Sequence, residues 1–187
     1  MYRLDIEPLD LGSDVRAVGL DLTEADENRE PVRGQEASRV WARVLQAAAG
    51  QDPWALDFFS HLDRVRDYCD THGIPYRQST QRSLVIPAPD IKTLEALLER
   101  FEAETFGART GAQFAAGAEA DSALEAELAR RGVDGYHAAF PNYAFCAVCT
   151  FEDGSLVLLS NKLWASEVIR RVRPVVKDLD VEVQLPN

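Results

Sequence analysis

Residues 143–160 read YAFCAVCTFEDGSLVLLS, and this stretch decides the fold class. The runs 143–152 and 155–160 carry apolar side chains at both alternating positions, whereas a strand with one wet face would alternate apolar with polar residues. Asp153-Gly154 between them is typical of a two-residue hairpin turn, because that turn needs positive φ at both central positions. The stretch therefore predicts an antiparallel hairpin whose strands are central and covered on both faces.

Strand and helix patterns extend from this hairpin toward both ends of the chain. Leu4 and Ile6 alternate with charged residues, which indicates a half-buried strand over Tyr2–Leu9. Asp90 is placed to cap a helix, and Pro174 to end one. We predict further strands at 15–22, 74–78, 84–86, 133–140 and 181–185, and helices at 36–49, 53–72, 91–106, 121–131 and 162–173. These elements predict an α+β fold, with helices packed on a mostly antiparallel mixed sheet.

The 187 residues are the length of one domain, and two features suggest internal organisation within it. The order helix, glycine, strand, strand, helix occurs at 54–106 and again at 121–173, which suggests a weak internal duplication. The Ala/Gly-rich segment 107–120 is expected to be mobile. It would join two lobes, 1–106 and 121–187.

The chain carries 20 basic and 31 acidic residues, a formal net charge of −11. Residues 1–36 hold ten acids and four bases, and residues 90–127 hold nine acids and three bases. This balance argues against nucleic acid or an anionic membrane as partner and favours a basic protein. The alternative is that acidic surface only provides solubility. The polar loop 23–34 is too charged to bury, and we expect that only a partner would order it.

The cysteines do not predict a disulfide framework or a metal site. Their number is three, and the chain shows neither a signal-peptide pattern nor a long apolar run, so we expect a cytoplasmic protein with free thiols. Cys69 and His72 could join Cys146 and Cys149 in a zinc quartet, but three-residue spacing on a strand places the last two sulfurs on opposite faces. Cys69 also continues an apolar helix stripe. We predict no metal and no cofactor.

Catalytic motifs are absent from the sequence, which leaves single residues as candidates. His137 precedes the central hairpin, and Arg77 and Arg82 bracket a run of amide and hydroxyl side chains. Together they would suit an anionic or phosphorylated substrate. The simpler interpretation is a structural histidine and solvated arginines. His61 lies one helical turn after Asp57, and a solvated ion pair is expected there.

A basic row is predicted on the last helix. Lys162, Arg170 and Arg173 align along one side of it, and the region 162–177 holds five bases and one acid. The row would bind an anion or the acidic surface of a partner. The alternative is a solvated face whose arginines complement the helix dipole and pair with Glu167.

Three functional hypotheses follow from these patterns. The first is a non-enzymatic acidic protein-binding module of the adaptor, regulator or toxin-neutralising type. The second is a small enzyme acting on an anionic substrate, with His137, Arg77, Arg82 and Arg170 as its residues. The third is a structural homodimer subunit that buries an apolar sheet face. A concave pocket, a flat acidic face and a large two-fold interface would distinguish them.

Overall fold

A computed structural model describes residues 1–9, 16–50, 54–58, 61–78, 84–101, 106–110, 130, 145–150, 155–160 and 165–184. The strands are β1 (Tyr2–Leu9), β2 (Arg16–Glu24), β3 (Trp54–Phe58), β4 (Arg77–Gln78), β5 (Leu84–Pro87), β6 (Phe106–Thr110), β7 (Phe145–Thr150), β8 (Ser155–Ser160) and β9 (Val181–Gln184). The helices are α1 (Gly34–Ala49), α2 (Leu62–His72), α3 (Ile91–Arg100) and α4 (Ala165–Val176). A 3₁₀ turn at Lys177–Leu179 leads from α4 into β9.

The strands form one sheet in the order β4-β5-β3-β6-β7-β8-β2-β1-β9. Seven of its eight neighbouring pairs are antiparallel, and β1 pairs with β9 in parallel. The predicted class, α+β with a mostly antiparallel mixed sheet, is confirmed. Among the described residues, no helix has the length and apolar character needed to cross a membrane.

The hairpin predicted from 143–160 forms the middle of this sheet. β7 lies between β6 and β8, and β8 lies between β7 and β2, so both strands are interior as expected. Thr150 is paired with Ser155, whereas a two-residue turn at Asp153-Gly154 would pair residue 152 with Ser155. The connection therefore contains four residues, 151–154, which lie outside the described part of the chain.

The helix predicted over 53–72 is wrong in its first half. Trp54–Phe58 is strand β3, which pairs with β5 on one side and β6 on the other. Aromatic residues at positions 54 and 58 suit a helical stripe, but positions 54, 56 and 58 also alternate with period two. In a strand with neighbours on both sides, the backbone N–H and C=O groups form hydrogen bonds to the neighbouring strands. These long-range hydrogen bonds favour the strand over the helix.

The segment predicted to join two lobes begins inside the sheet. Phe106–Thr110 is strand β6, so helix α3 ends near Phe101 and not at Gly107. The small Gly107 is paired with Asp57 and Val148 on the two neighbouring strands. β2 pairs with β8 and β1 with β9, so one sheet contains strands from both predicted lobes. Residues 111–120 lie outside the described part, and the division into lobes stays a prediction.

The last helix does not end at Pro174. α4 continues to Val176 with Pro174 inside it. Proline removes the hydrogen bond between its own nitrogen and the carbonyl four residues earlier, and the loss is tolerated here because Pro174 is exposed and within the last turn. The buried residues Val168 and Val172 form an apolar stripe on the opposite side of this helix.

The order hairpin, helix, strand occurs three times, as β1-β2-α1-β3, β4-β5-α3-β6 and β7-β8-α4-β9. The final strands are not placed equivalently, because β3 and β6 are neighbours inside the sheet whereas β9 is at its edge. The duplication predicted between 54–106 and 121–173 is not confirmed. Its first copy begins with a strand, and most of 121–144 lies outside the described residues.

One apolar core lies between the sheet and the four helices. It contains side chains from β1, β2, β3, β5 and β9 together with the inner sides of α1 to α4. Trp41 on α1 and Phe58 on β3 are its largest fully buried side chains. Phe101 closes the core beside α2, with its ring 5.5 Å from those of Phe58 and Tyr68 in edge-to-face geometry. Helices α1 to α4 therefore pack on one face of the sheet. Alternate side chains of each strand point to the other face.

The helix cap at Asp90 gives a direct test of the local structure. Its Oδ1 accepts the backbone N–H groups of Lys92 and Thr93 at 3.0 and 3.1 Å, and these bonds to Thr93 and Lys92 hold the pKa of Asp90 below its usual value. We expect Asp90→Ala to lower the free energy of unfolding by about 1 kcal/mol in urea titrations at pH 7. Asp90→Ser should keep most of the stability, since a serine hydroxyl can accept the same bonds. Equal losses in the two variants would contradict a capping role.

Candidate functional site

The second face of the sheet is polar where β1 runs through it. Leu4 and Ile6 are fully buried in the core, whereas Arg3 and Asp5 are half-buried and Glu7 is exposed. Successive side chains on a strand point to opposite faces, so these three polar residues share the face that the helices do not cover.

The neighbouring strands continue this polar strip. On β2, Asp21 and Thr23 are half-buried between the buried core residues of the other face, and on β9 Glu182 is exposed and Gln184 half-buried. Asp5 stands opposite Asp21 on one side and Gln184 on the other. Residues paired across a sheet share a face. The polar sheet face is therefore made of Arg3, Asp5, Glu7, Asp21, Thr23, Glu182 and Gln184.

Most carboxylates of the polar sheet face have no ion-pair partner among the described residues. Arg3 donates its Nε–H to both oxygens of Asp5, at 2.8 Å each. Glu7, Asp21 and Glu182 make no ion pair within the described part of the chain. The face thus carries four acids and one base, and three of the four acids remain without a counter-charge.

The polar sheet face ends toward the centre of the sheet. The register leads from Gly19 on β2 through the central strands to Val85 on β5, so the two residues lie on the same face. Val85 and its same-face neighbour Ala55 are fully buried. The second face is therefore covered at the β3–β5 end and at Gly19, whereas the side chains of the polar sheet face are exposed or half-buried.

An acidic loop adjoins the polar sheet face. Glu24 ends β2, and Asp26, Glu27 and Glu30 follow it; all four are exposed. The expectation that only a partner would order this loop is wrong, because Asp26 Oδ1 accepts the backbone N–H groups of Asn28 and Arg29 at 3.1 Å. A backbone bond of 2.8 Å from Glu24 to Glu30 closes the turn. The loop is held by its own contacts and extends the negative surface beyond the strands.

The basic row predicted on the last helix is largely occupied by contacts within the chain. Arg170 is 71% exposed and donates to Glu167 through Nε at 3.0 Å and Nη2 at 2.6 Å. Arg173 donates to the carbonyl of Val183 on β9 at 3.4 Å. Lys162 lies outside the described residues. The pairing with Glu167 is the arrangement expected of a solvated helix face, and ligand binding by the row stays a prediction.

Two arginines that the sequence did not single out connect α1 to α4. Arg171 donates to the Ala48 carbonyl at the end of α1 at 3.0 Å, and Arg43 donates to the Val175 carbonyl at the end of α4 at 3.2 Å. Each antiparallel helix therefore supplies a cation to the partly negative C-terminal end of the other. Arg171 also reaches Glu167 at 3.3 Å.

The grouping of the candidate catalytic residues in one site stays a prediction. Arg77 lies on the two-residue edge strand β4, and Arg82 and His137 lie outside the described part of the chain. The predicted Asp57–His61 helix pair is wrong, because Asp57 is on β3 and His61 precedes α2. A shallow groove of about 340 Å³ is lined, among the described residues, by Tyr68, Ala96, Glu99 and Arg100.

The predicted core role of Cys69 is confirmed, since its side chain is fully buried. Burial, with a smaller contribution from Asp70, raises the pKa of this thiol to about 11. His72 is turned back onto its own helix, where Nδ1 lies 2.8 Å from the Tyr68 carbonyl oxygen and its ring stacks on that of Tyr68. The described residues contain no group of three possible metal ligands. Cys146 and Cys149 lie on strand β7, as predicted.

Searches among protein families, curated proteins and solved structures found no match to this chain. The functional argument therefore depends on the residues and contacts described above.

The contacts of Glu167 predict a pH dependence of stability. Its hydrogen bonds to Arg170 and Arg171 and their charges lower its pKa to about 2. Because the folded-state value lies below the ordinary value of about 4.3, the stabilisation is complete above that value and is lost as the pH falls toward 2. We expect wild type to be more stable than Glu167→Gln at pH 6, and the difference to shrink between pH 4.5 and 2. A difference independent of pH in urea titrations would contradict this role.

The buried thiol predicts slow chemistry at position 69. In a Cys146→Ser/Cys149→Ser variant, Cys69 is the remaining cysteine. We expect it not to react with a disulfide reagent at pH 8 until denaturant is added, because the attacking species is the thiolate. Fast reaction of the folded variant, with its fold checked by circular dichroism, would contradict the buried position.

Proposed function

We propose that the protein is a non-enzymatic protein-binding module and that its polar sheet face binds a basic protein surface. The observation that carries the proposal is the set of carboxylates at Glu7, Asp21 and Glu182, which are solvent-accessible and have no ion-pair partner within the described residues. Unneutralised charge of one sign on an open surface speeds the encounter with an oppositely charged partner and selects against like-charged ones.

The basic row on α4, unlike the polar sheet face, is largely occupied by contacts within the chain, and this difference supports the polar sheet face as the binding site. On α4 the guanidinium of Arg170 is already held by Glu167, and Arg173 contacts the Val183 carbonyl. A ligand at that row would first have to replace contacts within the chain. A basic partner at the polar sheet face would replace only water around three of the four carboxylates, which favours the acidic surface as the binding surface.

The shape of the face also suits a protein partner. β2, β1 and β9 present side chains of alternating residues from neighbouring strands, so the surface is broad and its groups are spaced by strand geometry. Its polar groups are held by a rigid sheet whose other face forms the core. Fixed positions reduce the side-chain ordering that binding requires.

Neutralising the face should weaken binding of a cationic probe. We expect the double variant Asp21→Asn/Glu182→Gln to bind an octalysine peptide about two- to thirtyfold more weakly at 20 mM salt, since each of the two exposed charge contacts contributes about 0.2–1 kcal/mol. The measurement is isothermal titration or fluorescence anisotropy. The loss should diminish at 0.3 M salt, where exposed charges are screened.

A matched control separates the site from net charge. Glu95→Gln/Glu99→Gln on α3 changes the formal charge by the same two units, from −11 to −9, away from the polar sheet face. We expect this variant to bind the peptide nearly as wild type does. Amide shifts in NMR titrations should concentrate on β1, β2 and β9. Equal weakening by both double variants, or no binding at 20 mM salt, would refute the proposed site.

A further inference from the structure

Arg3 is the single base of the polar sheet face, and its position is fixed at one end. Its Nε–H is shared between both oxygens of Asp5 at 2.8 Å, and its side chain is 25% exposed. It is paired across the sheet with Thr23 on β2 and Glu182 on β9, so it lies within the face and not at its margin.

The outer end of the same side chain is unused. A guanidinium has five N–H donors, and the contact with Asp5 uses one of them. Nη1 and Nη2 of Arg3 make no hydrogen bond with any described residue. These four N–H groups have a planar arrangement that matches a carboxylate. Asp5 already restrains the side chain, so a ligand of the Nη groups would not have to immobilise a free arginine.

This arrangement creates a local exception in an acidic surface. Asp5, Asp21 and Glu182 would repel a carboxylate placed anywhere else on the face, whereas Arg3 can accept one. We propose that Arg3 is a specificity-determining residue of the binding face, an inference that rests on the proposed function. The partner segment is basic but carries one carboxylate, which binds the Nη groups of Arg3. The other bases of that segment would contact the unpaired carboxylates around it.

Two peptides that differ at one position test this inference. They are acetylated and amidated nonapeptides, with four lysines on each side of a central glutamate or a central glutamine. The overall attraction between the acidic protein and a basic peptide favours the glutamine peptide, because that peptide carries one more net positive charge. We expect wild type nevertheless to bind the glutamate peptide more tightly at 20 mM salt, by at most about fivefold, because an exposed charge pair contributes up to about 1 kcal/mol and the extra charge of the glutamine peptide opposes it.

Arg3→Lys is the matched control, because it keeps the formal charge of the protein. One ammonium group cannot hold Asp5 and present a planar pair of donors as arginine does. We expect this variant to lose the preference for the glutamate peptide, and the readout is the ratio of its affinities for the two peptides. Arg3→Gln should reverse the preference, since the glutamate then meets only acids. Circular dichroism and thermal unfolding would check the fold of both variants.

The outcomes separate this inference from the proposed function. If wild type binds both peptides but prefers glutamine, the role of Arg3 is refuted and the acidic binding face stands. If Arg3→Lys keeps the wild-type preference, charge alone explains it and the inference also fails. If wild type binds neither peptide, both proposals fail. The comparison of the two peptides on wild type does not depend on the folding of any variant.

Discussion

The register of β1 between β2 and β9 determines both the core and the open surface of this protein. In the observed pairing, Leu4 and Ile6 enter the core, and Arg3 and Asp5 remain on the opposite face. A slip by one residue would exchange the two sets and bury an ion pair with a row of carboxylates. Burying such groups costs several kcal/mol each in real proteins, so the hydrophobic pattern of one strand selects the register. The register that buries the apolar residues of β1 in the core therefore also places its polar residues on the opposite face.

Arg173 contacts the β9 edge of the sheet. A strand at the edge of a sheet exposes unpaired backbone groups that can pair with another chain. At the β9 edge, Arg173 donates to the carbonyl of Val183, and the N-terminal ammonium of Met1 lies 3.1 Å from Asp180 just before the strand. The β9 edge is therefore partly occupied by contacts within the chain.

The charge of the protein is divided between neutralised and unneutralised surfaces. Along α4, Glu167 joins Arg170 and Arg171, and Arg43 of α1 lies 3.5 Å from Asp178. These contacts pair opposite charges where α1 and α4 meet. On the sheet side, Arg3 compensates Asp5 alone. Among the described residues, Glu7, Asp21 and Glu182 of the polar sheet face carry negative charge without an ion pair. Composition gives the total charge, but only the contacts show which charges are free to meet a partner.

Local sequence patterns predicted the elements whose structure depends mainly on their own residues. The alternation at Leu4 and Ile6 predicted β1, the cap at Asp90 predicted the start of α3, and the apolar runs after residue 143 predicted interior strands. The same reasoning failed at Trp54–Phe58 and Phe106–Thr110, which read as helix or linker but pair with each other inside the sheet. Their state depends on hydrogen bonds to strands distant in the sequence, which no local pattern reports.

Part of the candidate site could likewise be predicted from the sequence, and part of it depends on the tertiary structure. The sequence by itself determined that the chain is acidic, that Glu167 was available to the arginines of α4, and that β1 has one wet face. Only the tertiary structure decided that Asp21 and Glu182 join that face and that Arg3 keeps its outer donors free, because these facts depend on the pairing of β1 with two strands about 20 and 180 residues along the chain. Side chains become neighbours through backbone register, and register is set by the core that all the strands share.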